Sequence, residues 1–168
     1  VTDQLTGLKN RRYFDDHFAI ERKRAKRYNK TLSLIMIDID HFKKINDAYG
    51  HQVGDAVLQA FSGLLQENVR ETDIISRWGG EEFIILLPAT SLENGMMAAQ
   101  KIQSAVNSYH FPDVGNITAS FGVSNVELNS NSNRESVNQA DQALYEAKKQ
   151  GRNRVVAYTD IKKIDSDT

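Results

Sequence analysis

The 168-residue sequence contains no cysteine, two prolines and a single tryptophan. Without cysteine, the chain cannot form disulfides, zinc–thiolate sites or iron–sulfur clusters, and it cannot use thiol catalysis. Long apolar runs are also missing, since the longest, residues 34–37 and 83–87, are far too short to cross a bilayer. No basic and then apolar signal peptide opens the sequence. These absences exclude thiol-based chemistry and a membrane span within this sequence.

The sequence also has no large excess of either positive or negative charge. The sequence has 21 Lys and Arg and 22 Asp and Glu residues, which gives a net charge of −1. A protein that binds nucleic acid mainly by neutralising phosphates needs a positive surplus. The basic run at residues 22–27 therefore indicates a solvated helix face rather than a nucleic-acid patch, and we expect no nucleic-acid partner.

Hydrophobic residues make up 40% of the sequence, enough to form the core of a folded domain. Apolar periodicity and turn residues predict helices that alternate with strands. The predicted helices cover residues 10–29, 41–48, 53–69, 91–109 and 134–150, and the predicted strands cover 31–39, 73–77, 82–87, 116–123 and 154–158. This order predicts the α/β (α+β) class, with a mixed central sheet of about five strands flanked by helices. We expect one domain over 1–158 and a C-terminal tail over 159–168.

Three local features make the fold prediction more specific. Strand 31–39 is apolar on both faces, so it should lie centrally in a sheet that is covered on both sides. Asp40 is predicted to cap the short helix that Gly50 ends. Gly79 and Gly80 predict a tight hairpin between the second and third strands, because primed turns need positive φ.

Three acidic residues are candidates for chemistry. Asp38 lies near the end of an otherwise apolar strand, where a carboxylate is costly unless it meets a cation. It is either a helix cap or a metal ligand at the carboxyl end of a central strand. Glu81 and Glu82 follow two glycines and repel each other unless positive charge is near, although an ordinary solvated turn is the alternative. Asp38 and Glu81 brought together would form an oxygen-only site suited to Mg²⁺.

Five ordered motifs resemble those of the GGDEF domain, the diguanylate cyclase family, and together they cover nearly the whole chain. The most specific is Gly-Gly-Glu-Glu-Phe, which resembles the family signature in its GGEEF form. The motifs occupy residues 3–12, 38–47, 50–55, 79–83 and 140–153. The resemblance implies a polymerase-palm-like, adenylyl-cyclase-like fold. It also implies a homodimeric enzyme that joins two GTP molecules into cyclic di-GMP and releases two pyrophosphates.

The resemblance further implies two Mg²⁺ or Mn²⁺ ions per active site, held by Asp38, the backbone carbonyl of Ile39 and Glu81. Such a pair of ions stabilises the attacking and leaving oxygens of an in-line displacement. Either Glu81 or Glu82 would accept the proton of the attacking 3′-hydroxyl, and the sequence does not decide which. Lys43 would neutralise charge that develops on the phosphates, and its alternative is an exposed helix lysine.

Nine further residues would bind GTP according to this resemblance. They are His41 and Phe42 through backbone N–H groups, Lys148 and Arg152 on the phosphates, Asn46, His51 and Asp55 on guanine, and Leu5 and Leu58 along the base pocket. A carboxylate such as Asp55 complements the adjacent N–H donors of guanine. Simpler roles stay open for some of them: Lys148 and Arg152 suit a helix C-terminus as cations, and the two leucines suit the core equally well.

Arg70 and Asp73 form an RxxD pattern at a fixed offset before Gly79, which resembles the product-inhibition site of many family members. Arg bonds the O6 and N7 edge of guanine, and a carboxylate accepts from its N–H donors. We therefore expect cyclic di-GMP to act as an allosteric inhibitor as well as the product. Lys101 stands where some members carry a second Arg, and it lacks the planar fork of that residue. The alternative is a helix-end cation followed by a turn residue.

Two other functions compete with the cyclase. A degenerate receptor module that binds nucleotide without catalysis would have lost signature residues, whereas Asp38, Lys43, Glu81 and Glu82 are all present. A purely structural dimerisation domain would not need the polar motifs. Because the sequence starts abruptly at the first motif, we expect the parent protein to carry an N-terminal sensor domain that is missing here. We expect a cytoplasmic domain, whose parent could be membrane-anchored through that region.

Overall fold

The computed structural model describes residues 1–161. Its helices are α1 (Arg11–Arg27), α2 (Phe42–Tyr49), α3 (His51–Glu67), α4 (Leu92–Ser108) and α5 (Arg134–Lys149). Its strands are β1 (Leu32–Ile39), β2 (Ile74–Arg77), β3 (Glu82–Pro88), β4 (Ala119–Asn125) and β5 (Val155–Ala157). Every predicted helix and strand is present in the predicted order, with end points that differ by a few residues. Residues 158–161 are helical, and residues 162–168 of the expected tail lie outside the described residues.

The five strands form one mixed sheet in the order β2-β3-β1-β4-β5. Strand β1 pairs antiparallel with β3 on one side and with β4 on the other, whereas β4 and β5 run parallel. All eight residues of β1 are buried, because a central strand with helices on both faces has no solvent-facing side. The predicted class, the mixed sheet and the central position of the first strand are thus confirmed.

Helices pack on both faces of this sheet and divide the side chains of β1 between two cores. Ile35, Ile37 and Ile39 belong to one core together with residues of α2, α3 and α4. Leu34 and Met36 belong to the other core together with residues of α1 and α5. Since alternate residues of a strand share a face, Asp38 projects toward the side of α1 and α5. Within residues 1–161, each helix is too short or too polar to span a bilayer.

Helix α5 lies very close to the sheet at Gly122 of β4. A Cβ atom at this position would lie 2.1 Å from the carbonyl oxygen of Ala140 and 2.3 Å from the amide nitrogen of Leu144. Both are backbone atoms that cannot rotate away, so only glycine fits there. This contact seats α5 against β4, and the last turn of the helix reaches β1, where Lys148 meets Asp38.

The predicted N-cap of α2 is wrong. His41 occupies the N-cap position with a left-handed backbone (φ 57°) and makes no side-chain capping bond. Asp40 is instead buried and accepts hydrogen bonds from Thr118 and Ser120, because a buried carboxylate must be satisfied by donors. Gly50 does end α2 as predicted, with φ 87°.

The predicted primed turn at Gly79 and Gly80 is also wrong. Neither glycine has positive φ. The carbonyl oxygen of Glu82 accepts from the N–H groups of Trp78 at 2.7 Å and Gly79 at 3.3 Å, which closes a wider loop. Arg77 stabilises that loop by donating to the carbonyl oxygen of Gly80 at 2.7 Å. The two strands therefore still form a hairpin, but a longer connection replaces the two-residue turn.

Candidate active site

The acidic candidates lie together where β1 ends and β3 begins. Asp38 and Glu82 stand opposite each other in the antiparallel register. The N–H group of Ile39 donates to the carbonyl oxygen of Glu81 at 3.3 Å. The pairing of β1 with β3 therefore brings both acids of the Gly-Gly-Glu-Glu-Phe motif beside the end of the central strand. We call Asp38, Glu81 and Glu82 the acidic cluster.

Asp38 is a buried carboxylate with one cation beside it. The residue is 5% exposed and forms an ion pair with Lys148 of α5. Burial raises the pKa of Asp38 to about 6, while Lys148 opposes this shift and the charges of Glu81 and Glu82 add to it. One lysine does not balance three acids, so the acidic cluster favours an additional cation.

Glu82 is partly buried, and its surroundings include an acid that the sequence analysis missed. Burial raises the pKa of Glu82, the charge of Asp141 raises it further, and Lys148 and Arg11 oppose the shift. Asp141 lies two turns before Lys148 on α5, which places both residues on one face of that helix. This seven-residue spacing is visible in the sequence and could have identified Asp141 as a neighbour of the site.

The oxygen donors around Asp38 fit a hard divalent cation. They are the carboxylates of Asp38 and Glu81 and the main chain of β1 at Ile39, and Mg²⁺ binds one or two carboxylates together with substrate phosphates and water. Within residues 1–161, no three Asp, Glu or His side chains converge as a metal-binding group. This small donor set suits a site that phosphates complete rather than a closed protein cage. The ammonium group of Lys148 on Asp38 stands in for such a positive charge.

The Oδ1 atom of Asn46 is a buried acceptor without a hydrogen-bond partner. Within residues 1–161, it is the one buried side-chain nitrogen or oxygen atom that lacks a partner. A Cβ atom on Gly54 of α3 would lie 1.8 Å from this Oδ1, so Asn46 on α2 reaches across to α3. An orphaned acceptor is costly unless a ligand donor reaches it. Asp55, next to Gly54, and His51, one turn earlier, are exposed on α3. The structure thus places the predicted guanine-binding side chains on two adjacent helices.

The predicted phosphate-binding residues lie in two segments. One segment follows β1 after Asp40 and contains His41, Phe42 and Lys43. Phe42 is buried, whereas His41 and Lys43 are exposed. Arg152 is exposed in the loop that follows α5, where its backbone is left-handed (φ 65°). Lys148, predicted as a phosphate ligand, contacts Asp38 in this structure.

The two leucines predicted to line the base pocket belong to the core. Leu58 is 3% exposed within the core that α2, α3 and α4 share with the sheet, and Leu5 packs against the same core while partly exposed. A contact of either leucine with a base stays a prediction.

The three residues of the predicted product site surround one groove of about 340 Å³, which Arg70, Asp73 and Lys101 line together. The Nη2 group of Arg70 donates to the Asp73 carboxylate at 2.8 Å and to the carbonyl oxygen of Pro88 at 2.8 Å. The Arg70 side chain is 52% exposed, so a ligand can reach the guanidinium group. Pro88 ends β3 and Glu82 begins it, so the groove lies roughly 20 Å along the strand from the acidic cluster.

Comparison with known proteins identifies the family. The family profile described as "Diguanylate cyclase, GGDEF domain" matches residues 1–154. The chain belongs to the GGDEF family. The response regulator PleD from Caulobacter vibrioides is 42% identical over 161 residues, which cover 93% of this chain and 36% of PleD. The diguanylate cyclase DgcP from Pseudomonas aeruginosa is 44% identical over 158 residues, which cover 92% of this chain and 23% of DgcP. The chain therefore spans well under half the length of these relatives.

Solved GGDEF domains share the fold. The GGDEF domain of DgcB from Caulobacter crescentus, solved in complex with c-di-GMP, has a TM-score of 0.88 at 34% identity, covering 94% of this chain and 95% of that one. The active GGEEF domain of a diguanylate cyclase from Vibrio cholerae has a TM-score of 0.84 at 38% identity, covering 92% and 98%. The GGDEF domain described here carries the same GGEEF form of the signature at residues 79–83.

Proposed function

We propose that this GGDEF domain, over residues 1–158, is a diguanylate cyclase that condenses two GTP molecules into cyclic di-GMP and releases two pyrophosphates. The observation that carries the proposal is the acidic cluster, which β1 and β3 assemble beside Lys148. Carboxylates that repel one another are unfavourable unless a site uses their charge. Similarity to the active GGEEF domain from Vibrio cholerae supports the same function.

Asp38, the backbone carbonyl of Ile39 and Glu81 would hold two Mg²⁺ or Mn²⁺ ions, with GTP phosphates and water completing the coordination. When bound, two such ions supply charge stabilisation to the attacking and leaving oxygens of an in-line displacement. Lys148 neutralises Asp38 in this structure, and its ammonium group can instead contact phosphate oxygens. Glu81 or Glu82 accepts the proton of the attacking 3′-hydroxyl.

Asn46 and Asp55 bind the guanine base in this proposal. The free Oδ1 acceptor of Asn46 and the exposed carboxylate of Asp55 complement the two adjacent N–H donors of guanine. His51, one turn before Asp55, extends the same binding surface. The backbone N–H groups of His41 and Phe42 hold the terminal phosphates, and Lys43 and Arg152 supply positive charge to them.

Two copies of the domain must cooperate. Each chain carries one set of GTP-binding residues, whereas the product joins two guanosines symmetrically. The two sites therefore face each other about a two-fold axis, with each 3′-hydroxyl directed at the α-phosphate of the opposing GTP. The active species is a homodimer, and an N-terminal sensor domain of the longer parent protein would control how often two domains meet.

The groove around Arg70 binds cyclic di-GMP as an inhibitor. Arg70 presents an exposed guanidinium group that matches the acceptor edge of guanine, and Asp73, whose side chain is 2% exposed, holds that group in place. Lys101, on the same groove, supplies positive charge for the phosphates of the ligand. Because the groove is remote from the acidic cluster, inhibition from it is allosteric.

Incubation of the chain with GTP and Mg²⁺ tests the proposed activity, with pyrophosphate and cyclic di-GMP measured together. Glu81→Gln and Glu82→Gln should each lower product formation about 100-fold or more, because neutralising a metal ligand or base removes transition-state stabilisation. Glu67→Gln, at an exposed position at the end of α3, is the matched control and should retain wild-type turnover. Wild-type chain that releases no pyrophosphate would overturn the proposal.

A further inference from the structure

We propose that Asp40 is a positioning residue whose buried carboxylate holds the loop after α5 in the conformation that presents Arg152 to the GTP phosphates. The role of Arg152 in this inference rests on the proposed function. The hydrogen bond from the Asn153 N–H to Asp40, which we call the tether, does not. Asp40 belongs to neither the metal ligands nor the guanine-binding residues, and it does not cap α2. Its buried carboxylate nevertheless accepts three hydrogen bonds.

Three donors converge on the Asp40 carboxylate. Its Oδ1 accepts from the Ser120 hydroxyl at 2.7 Å, and its Oδ2 accepts from the Thr118 hydroxyl at 2.6 Å. The same Oδ2 accepts from the backbone N–H of Asn153 at 3.0 Å. The residue is 5% exposed, so water does not compete with these bonds. The first two bonds fix the carboxylate at the start of β4, and the third connects it to the loop after α5.

Two carboxylates at the end of β1, those of Asp38 and Asp40, contact the chain on either side of Arg152. Asp38 is the penultimate residue of β1, and Asp40 follows the strand directly. Asp38 contacts Lys148 in the last turn of α5, and Asp40 contacts Asn153. Arg152 lies between these contacts. Its backbone is therefore fixed relative to the strand that carries Asp38, while its side chain stays exposed.

The backbone held by Asp40 is strained. Arg152 and Asn153 have φ values of 65° and 49°, and left-handed backbone is unfavourable for residues other than glycine. Two consecutive residues of this kind persist only when surrounding contacts fix them. On its other side, Asn153 is held by Gln103 of α4, whose Nε2 donates to the Asn153 carbonyl oxygen at 2.8 Å. Without the Asp40 bond, the loop should relax and move the Arg152 guanidinium.

The tether needs the geometry of Asp40 but not its charge. An asparagine oxygen can accept from both Thr118 and Asn153, while its amide group donates to the Ser120 hydroxyl, which can rotate to accept. Asp40→Asn should therefore keep the tether. Asp40→Ala removes it, and Asp40→Glu keeps the charge but misplaces the oxygens by a methylene group. If Asp40 instead bound a metal or accepted a proton, Asp40→Glu would retain more function than Asp40→Asn, because both functions require a carboxylate.

Hydrogen–deuterium exchange tests the tether without any nucleotide. In the chain alone, peptides that contain Asn153 should exchange at least about tenfold faster in Asp40→Ala than in wild type, since one lost bond of about 1.4 kcal/mol is a tenfold change. Asp40→Asn should match wild type. Unchanged exchange in Asp40→Ala, or equally fast exchange in Asp40→Asn, would overturn the proposal. If Asp40→Ala does not fold, the comparison of Asp40→Asn with Asp40→Glu decides, because the two variants separate geometry from charge.

Binding of a non-hydrolysable GTP analogue with Mg²⁺, measured by calorimetry, tests the consequence for Arg152. Asp40→Ala and Arg152→Ala should each weaken the affinity about tenfold, and the double variant should be no weaker than Arg152→Ala, because both remove the same contact. Additive losses would show that Asp40 acts elsewhere. A failure of the proposed function would appear differently: wild-type chain would not bind the analogue, while the exchange result would stand.

Discussion

Asp38 sets the electrostatics of the site at the scale of a single residue. A carboxylate in a fully buried strand is unfavourable unless a cation compensates it, and Lys148 provides one positive charge. Glu81 and Glu82 add negative charge to the same place, so the pKa of Asp38 rises with burial despite the lysine. A site of this kind is less stable when empty and is stabilised by bound cations.

In metal-free buffer, this raised pKa should make the domain less stable as the pH increases from about 4 to about 6. The pKa of Asp38 rises from 3.8 to about 6 on folding, so over this range the folded chain retains a proton that the unfolded chain loses. Its stabilisation is complete below about pH 4 and lost above about pH 6. Urea unfolding of wild type and Asp38→Asn at about pH 4 and about pH 8 should show the variant gaining stability relative to wild type at the higher pH. The same difference at both values would contradict the shifted pKa.

Gly54 packs against Asn46, the side chain that we propose binds guanine. Gly54→Ala should weaken binding of a GTP analogue about tenfold, because the new Cβ atom would lie 1.8 Å from Asn46 Oδ1 and displace it. The cause would not be lost helix stability, since alanine favours a helix interior by about 1 kcal/mol over glycine. Gly63→Ala is the control in the same helix, because a Cβ atom there meets nothing within 4 Å. Calorimetry should show normal affinity for the control. Equal affinities in both variants would remove Gly54 from the guanine site.

At the scale of helices and strands, the sequence predicts those features that depend on hydrophobic patterning and on neighbouring residues. Strand β1 is apolar at nearly every position, and the structure places it at the centre of the sheet. Ser91 begins the predicted helix 91–109, and in the structure it is the N-cap of α4, where its side chain accepts from the Asn94 amide. Both features depend on residues close in sequence, so local rules suffice for them.

Long-range contacts account for what the sequence did not predict. Aspartate is a residue type that often caps helices, which is why the sequence predicts that role for Asp40. Its partners Thr118 and Ser120 lie about 80 residues away along the chain, and only the fold brings them near. The ion pair between Asp38 and Lys148 likewise joins distant segments. The motifs imply that Asp38 and Glu81 share a metal site, but the pairing of β1 with β3 that brings the acids together is a finding of the structure. The motifs did not predict that α5 would supply the cation.

The groove between β3 and α4 carries a prediction at the same scale. Arg70→Ala should lose cyclic di-GMP binding by calorimetry and accumulate more product while keeping its initial GTP turnover, because Arg70 provides the exposed guanidinium of that groove. Lys101→Arg should bind cyclic di-GMP more tightly, since arginine adds a planar fork of donors. Arg134→Ala, at the start of α5, is a control that should leave the affinity unchanged. Unaltered cyclic di-GMP affinity in Arg70→Ala would place the inhibitory site elsewhere.

At the scale of the whole molecule, the sheet separates the proposed synthesis and inhibition sites. The acidic cluster lies at the start of β3, and Arg70 contacts the end of the same strand at Pro88. In the proposed scheme, product bound in the groove would not contact GTP directly. It would act on the approach of two domains, because that encounter is the step for which we propose that two chains are needed.

The initial rate of cyclic di-GMP formation should consequently rise with the square of the protein concentration while the chain is mostly monomeric. Mass action gives this dependence, because the productive species contains two chains and its amount is proportional to the product of their concentrations. Pyrophosphate release across a dilution series at saturating GTP measures the exponent, with light scattering of the same samples to establish that they are monomeric. Glu82→Gln added in excess at a fixed wild-type concentration should lower the rate once association becomes appreciable, because mixed pairs contain only one competent site. A rate that is linear in concentration for a monomeric sample would show that one chain completes the reaction alone.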